Sequence, residues 1–260
     1  MSAMISPATS ENPDKVKQYI KYAQTNLQLF NQLRNQGYSD SDLSSIQSAY
    51  HAAVYLYTGC FRPSGKTFLS HLVGNASILA SLGCPAKIVA AGMLHAAYYC
   101  GGFGENKKGI TPTKRQKLIE AVGEEVEEYV ARYTKLEWNQ NNISVLQQRL
   151  DSLDKIDREV LLMRLANELE EYLDLGLLYC KDKQQEYFDR HPQIVAMAEK
   201  LGFPALAAEL AMAHAEMAKA TIPPELCYGD GKKFDFFIPP RHRKPIFRNL
   251  KRAIRRKLGK

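Results

Sequence analysis

Residues 86–99 constrain the fold more than any other stretch of the chain. Lys87-Ile88-Val89-Ala90-Ala91-Gly92-Met93-Leu94-His95-Ala96-Ala97-Tyr98-Tyr99 is apolar nearly all the way round a helical wheel. A helix of that kind has no face to give to water and must lie at the centre of the molecule, wrapped by others. It is preceded by Gly83-Cys84-Pro85, where glycine suits the residue just past a helix and proline the first turn of the next. The spacing therefore predicts helices over 67–82 and 86–99. In Asp14–Gln36, Val16, Tyr19, Ile20, Ala23, Leu27, Phe30 and Leu33 recur at i, i+3 and i+4, which predicts a helix ending at Gly37. Ser39-Asp40-Ser41-Asp42 offers caps for a helix from about Ser41 to Tyr57, and Gly59 to Lys66 reads as a loop. Further helices are expected over 113–123, 124–134, 143–150, 154–180, 184–189, 192–201 and 204–220, with a loop over 101–111. Alternating β patterns are scarce, so the expected class is all-α. Leu201-Gly202-x-Pro204-Ala205 stands before His214-Ala215 as Leu82-Gly83-x-Pro85-Ala86 stands before His95-Ala96. Convergent turn chemistry accounts for this echo more simply than a repeat.

The expected organisation is a polar leader (1–13), one helical domain (14–220), an irregular Pro/Gly/Phe-rich segment (221–240) and a basic tail (241–260). The net charge of +7 is misleading as a property of the whole: the tail holds ten Lys/Arg and no Asp/Glu, which leaves residues 1–240 at −3. That argues against a domain-wide nucleic-acid surface. Within the tail Ile246, Phe247, Leu250, Ile254 and Leu258 form one helical stripe amid arginines and lysines. Such a stripe suits an anionic membrane surface, nucleic acid, or packing back on the domain. No apolar run reaches the roughly 18 residues of a membrane span, and the leader has no secretory pattern. Cys60, Cys84, Cys100, Cys180 and Cys227 contain no C-x-x-C pair and read as reduced thiols. A cytoplasmic location is expected, with the tail available for peripheral membrane attachment.

Two histidines stand in a recognisable frame. Arg62-Pro63-Ser64-Gly65 leads into Phe68-Leu69-Ser70-His71, and Leu94-His95-Ala96 follows 24 residues later. Val122-Gly123-Glu124-Glu125-Val126, Tyr133-Thr134-Lys135-Leu136 and Asp157-Arg158-Glu159-Val160-Leu161-Leu162-Met163-Arg164-Leu165-Ala166-Asn167 come in order after them. In this order and spacing, Ala49 to about Leu175 resembles the hydrolase (HD) domain of the Rel/SpoT-type alarmone synthetase-hydrolases. It is also similar to standalone HD-like proteins that lack the His-Asp pair. The resemblance implies an HD-domain-like helical bundle with an N-terminal helical extension.

What the resemblance implies for chemistry is a frame without its acids. The metal-binding histidines fall on His71 and His95. The aspartate that follows the second histidine falls on Ala96, and the later metal aspartate on Asn167. The Glu-Asp pair associated with the attacking water falls on Tyr99 and Cys100, while Arg62, Lys135 and Arg164 keep basic character. Such a site works through a divalent ion that acidifies a bound water. Two neutral imidazoles and an amide oxygen do little to offset the dehydration of a hard cation, which wants carboxylates. Alarmone hydrolysis is therefore not expected.

The leading expectation is a pocket lined by Arg62, His71, His95, Tyr99 and Asn167 that binds a small polar or phosphorylated ligand, with no cofactor and no metal. The alternative is a repurposed enzyme in which His71, His95 and Glu171 act, holding a divalent metal through His71, His95, Asn167 and Glu171. Glu171 lies four residues from Asn167 on one helical face, and Glu168 turning inward would serve the same arrangement. The favoured view of Asn167-Glu168-Leu169-Glu170-Glu171 is instead a solvated acidic stripe, with Leu165, Leu169, Tyr172 and Leu173 packing. A third reading is a platform protein targeted by its tail. His51, His191, His214 and His242 have no partner that the sequence identifies.

Overall fold

The computed structural model describes residues 21–104, 107–179 and 191–226. The leader, the expected helix over 184–189, Cys180, Cys227, His242, most of the irregular segment and the basic tail lie outside the described residues. Among the described residues there is no β-sheet, only an isolated bridge between Phe61 and Thr67. The chain is an all-α bundle. No helix is long and apolar enough to cross a membrane, among the described residues.

The helices are α1 (Asn26–Asn35), α2 (Asp40–Tyr57), α3 (Phe68–Ser81), α4 (Ala86–Leu94), α5 (Ala97–Cys100) and α6 (Pro112–Val122). They continue with α7 (Glu124–Lys135), α8 (Gln140–Gln148), α9 (Lys155–Leu173), α10 (His191–Lys200) and α11 (Pro204–Lys219). As its composition requires, α4 is central: it packs against α2, α3 and α7 and touches α9. Ile88, Val89, Met93 and Leu94 are buried there, each contributing about 1.5–3 kcal/mol of transfer free energy. Gly92 lets α3 come close. A Cβ at that position would meet Leu79 Cδ1 at 2.2 Å, so the absence of a side chain fixes the α3–α4 separation and with it the approach of His71 to His95.

Three expected helices are interrupted, each for a local reason. The helix expected over 14–36 begins, within the described residues, only at Asn26. Thr25 and Gln28 form a capping box that turns the chain, so Leu27 is 71% exposed although it belongs to the expected apolar stripe. The 86–99 helix breaks at His95-Ala96. The His95 Nδ1 lies 2.7 Å from the Gly92 carbonyl oxygen, the acceptor that a continuous helix would offer to the Ala96 N–H. The 154–180 helix ends at Leu173; Leu175 takes φ +54° and a short 3-10 turn, Gly176–Tyr179, follows. Gly37, Gly83, Gly123 and Gly202 all have positive φ at helix junctions. The echo between 82–86 and 201–205 is thus shared turn geometry.

The α10–α11 pair closes one side of α9 and pairs two histidines. The His191 and His214 rings stack at 3.5 Å and 4°, with Tyr172 edge-on to both at 5.7 and 5.8 Å. Burial, and then the neighbouring His214, lowers the pKa of His191 to about 4, against the opposing pull of Glu168. Burial also lowers that of His214. An unfolded histidine titrates near 6.5, so between that pH and about 4 the unfolded chain binds more protons than the native one. Stability is expected to fall as pH drops through that window, by about 1–2 kcal/mol from His191 alone after discounting for solvent screening. Thermal melts of wild type and His191→Phe between pH 7 and 4 test this, the variant showing the shallower dependence. Parallel pH profiles would rule it out.

Candidate functional site

The site begins with the 59–66 loop. The Arg62 N–H donates to the Lys66 carbonyl oxygen (2.7 Å), and the Gly65 N–H donates to the Arg62 carbonyl oxygen (2.9 Å) with Gly65 at φ +85°. This tight turn carries two basic side chains over α9. Thr67 caps α3, accepting from the Ser70 N–H, and α3 then buries His71 and Asn75. The loop and α9 are joined by ion pairs: Arg62 with Glu171, and Lys66 with both Glu170 and Asp174. Glu170 also accepts from His71 Nδ1.

These contacts overturn the solvated-stripe view of α9. Glu168 is fully buried, Glu170 is 4% exposed, and Leu173, expected to pack, faces outward. Glu170 and Glu171 meet bases from the 59–66 loop, and Glu168 meets Arg164 one turn back on the same helix. Burial by itself pushes the Glu170 carboxyl up, yet His71 and Lys66 together hold it below its usual range. Glu168 accepts from Arg164 (2.5 Å) and from the Trp138 indole N–H (2.9 Å). Arg164 also donates to the Tyr133 hydroxyl (3.0 Å) and lies over the rings of Trp138 and Tyr133, at 5.1 and 5.9 Å.

Both imidazoles are buried, and burial favours their neutral forms. Burial lowers the pKa of His71, outweighing the Glu170 carboxylate, and lowers that of His95 further, with His71 adding to the effect. Their ring centroids are 5.3 Å apart, from separate helices. His71 Nδ1 donates to Glu170, which leaves Nε2 as a lone-pair acceptor; that atom is buried without a partner. His95 directs Nδ1 toward the Gly92 carbonyl oxygen and Asn75, which likewise leaves Nε2 as the acceptor. Asn75 Oδ1 and Asn167 Oδ1 are also buried without partners.

A cavity of about 350 Å³ opens beside these groups, within the range of small-molecule pockets. Its lining includes Arg62, His95, Ala96, Tyr99, Cys100, Asn167 and Glu171, with Phe68, Tyr133, Leu136, Trp138 and Arg164 completing the wall. Of the residues expected at a pocket, Arg62, His95, Tyr99, Asn167 and Glu171 line it. His71 lies one layer deeper, against His95 and the ring of Phe68. Lys66, Glu170 and Trp138 had no sequence signal as site residues. Their roles depend on partners 30 to 104 residues away. Tyr99 is 57% exposed but its hydroxyl is engaged, donating to the Thr134 carbonyl oxygen at 2.6 Å. Desolvation raises the Cys100 thiol pKa despite Arg62 and Lys108, the wrong direction for a nucleophile.

One metal-type cluster occurs among the described residues: ligand atoms of His71, Glu170 and Glu171 lie within 4.8 Å of one another. Both carboxylates already face a fixed cation.

Residues 55–137 match a family described only as a domain of unknown function (DUF6817). That third of the chain runs from the end of α2 through α7; it includes Arg62, His71, His95 and Tyr133 and stops before Trp138 and α9. No curated protein matches the chain.

Proposed function

We propose that this chain is an HD-like helical protein whose cavity binds a small polar or phosphorylated molecule and does not hydrolyse alarmones. The observation that carries this reading is the acceptor-rich inner wall: Asn167 Oδ1 is buried without a partner at a cavity whose rim holds Arg62. A buried acceptor left unpaired costs about 1–3 kcal/mol, a cost that a bound ligand's N–H or O–H donor removes. Aromatic walls from Phe68, Tyr133 and Trp138 suit a compact organic ligand. Ala96 contributes only a methyl group where the resemblance places an acid. Neither Tyr99, engaged with a carbonyl, nor Cys100 replaces a carboxylate that would activate water.

The metal-assisted reading draws on the His71/Glu170/Glu171 cluster. The residues fit a resident ion poorly. Glu170 is held by Lys66 and His71, and Glu171 by Arg62, leaving neutral donors to meet a dication. Were Glu171 to leave Arg62, His71, His95, Asn167 and Glu171 would form a set suited to zinc or ferrous iron, which would supply Lewis acidity.

Thermal melts of the purified protein with nucleoside phosphates and amino-phosphates, paired with metal analysis, separate the two. The expected result is a metal-free preparation whose melting temperature rises with at least one phosphorylated compound, the stability gained being about 2.7 kcal/mol at a hundredfold excess over Kd, and no rise in His95→Ala. One tightly held transition metal per chain, lost in His95→Ala, would replace this reading with the metal-assisted one.

A further inference from the structure

The charges around the cavity are already matched within the protein. Arg62 is paired with Glu171 at the wall, Lys66 with Glu170 behind it, and Arg164 with Glu168. A plain anion that draws Arg62 to itself would strand the Glu171 carboxylate, which is only 11% exposed, and an uncompensated charge at such a site is strongly unfavourable. A plain cation that draws Glu171 would strand Arg62 in the same way. A molecule carrying both charges strands neither, because it exchanges one internal ion pair for two external ones.

The neutral groups point in the same direction. Asn167, 3% exposed, lines the cavity with its Oδ1 unpartnered, and His95 offers an Nε2 lone pair. The Glu171 carboxylate is a third acceptor among the residues that line the cavity. Three acceptors match the three N–H donors of a primary ammonium, whereas a phosphate or carboxylate oxygen would meet lone pairs there. Arg62, whose guanidinium lies over the Phe68 ring at 5.5 Å, presents a planar donor fork suited to an oxyanion at the other end of the ligand.

Resting on the reading of the cavity as a ligand site, we propose that it selects a zwitterion. A primary ammonium sits among Asn167 Oδ1, His95 Nε2 and the Glu171 carboxylate, and an attached phosphate or carboxylate group is taken over by Arg62. Glu171 is thereby the specificity residue. It competes with simple anions for Arg62 when the cavity is empty and receives the ammonium when the ligand is bound.

Titration calorimetry with O-phosphoethanolamine, ethyl phosphate and ethanolamine at matched ionic strength tests this on the full chain. The zwitterion is expected to bind about tenfold or more tighter than ethyl phosphate, and ethanolamine weakest of all. In Glu171→Gln, Arg62 has no carboxylate to abandon, so ethyl phosphate should gain about tenfold while the zwitterion's advantage disappears. Asn167→Leu should weaken the zwitterion and leave ethyl phosphate unchanged. Ethyl phosphate binding wild type as tightly as the zwitterion, or weakening in Glu171→Gln, overturns the zwitterion proposal and leaves the ligand-site reading intact. Binding that is unaffected by His95→Ala, or absent for all three probes in folded protein, overturns both.

Discussion

Replacing Lys66 with methionine is expected to lower stability by about 3–5 kcal/mol, the cost typical of breaking a buried ion pair from one side. In a chain of this size that corresponds to a fall in melting temperature of roughly 10 °C. Glu170 is nearly inaccessible to water and depends on Lys66 and on the His71 Nδ1–H for compensation. Without Lys66, a carboxylate remains against a neutral imidazole. Glu170→Gln alone should cost less, because Lys66 keeps Asp174, which is partly exposed. The double variant should recover much of the loss, giving a coupling of about 2 kcal/mol or more in a double-mutant cycle. Chemical denaturation of the four proteins measures it directly. A Lys66→Met cost below about 1 kcal/mol, the value of a surface pair, would mean that Glu170 is not held as a buried anion, and the charge-matching that sets the cavity's ligand preference would lose its basis.

Restoring acids at Ala96 and Asn167 should convert the cavity into a metal site. Both positions line the same cavity as His95, with His71 behind it. In Ala96→Asp/Asn167→Asp two carboxylates join two imidazoles already presenting Nε2 lone pairs, and neither new acid has a fixed cation of its own. Affinity for manganese or zinc is expected to rise by about a hundredfold or more over wild type, since charged oxygen ligands replace a methyl group and an amide. The double variant should also be less stable than wild type in chelator and regain stability when metal is added, by linkage. A folded double variant with no gain in metal would show that the two imidazoles do not address a common space, and the HD-like reading of the site would fall with it.

Much of the helical layout could be read from local pattern. The central placement of α4 followed from an all-round apolar stretch, and two helix junctions followed from glycines at 37 and 83, where φ is positive. The breaks at Thr25, His95 and Leu175 were missed because each is decided by a side chain bonding back on its own backbone or by one residue's conformation. Periodicity averages over several turns and is blind to both. Of the residues that line the cavity, Arg62, His95, Tyr99 and Asn167 were named through the family resemblance, and Glu171 by its helical spacing from Asn167. Lys66 and Trp138 were not, since neither carries a pattern of its own, and Glu170 was assigned to a solvated stripe because its partners are remote in sequence.

The amino-acid sequence by itself determined that this chain is helical, which helix lies at the centre, and that two histidines would stand on adjacent helices with no acid beside the second. These are consequences of side-chain polarity repeating along a few turns of backbone. Only the tertiary structure decided whether the glutamates of α9 face water or the interior. A charged side chain enters a core when an opposite charge arrives from elsewhere in the chain, and Lys66 and Arg62 reach α9 across more than 100 residues of sequence. Residue order contains no record of that distance until the helices are packed.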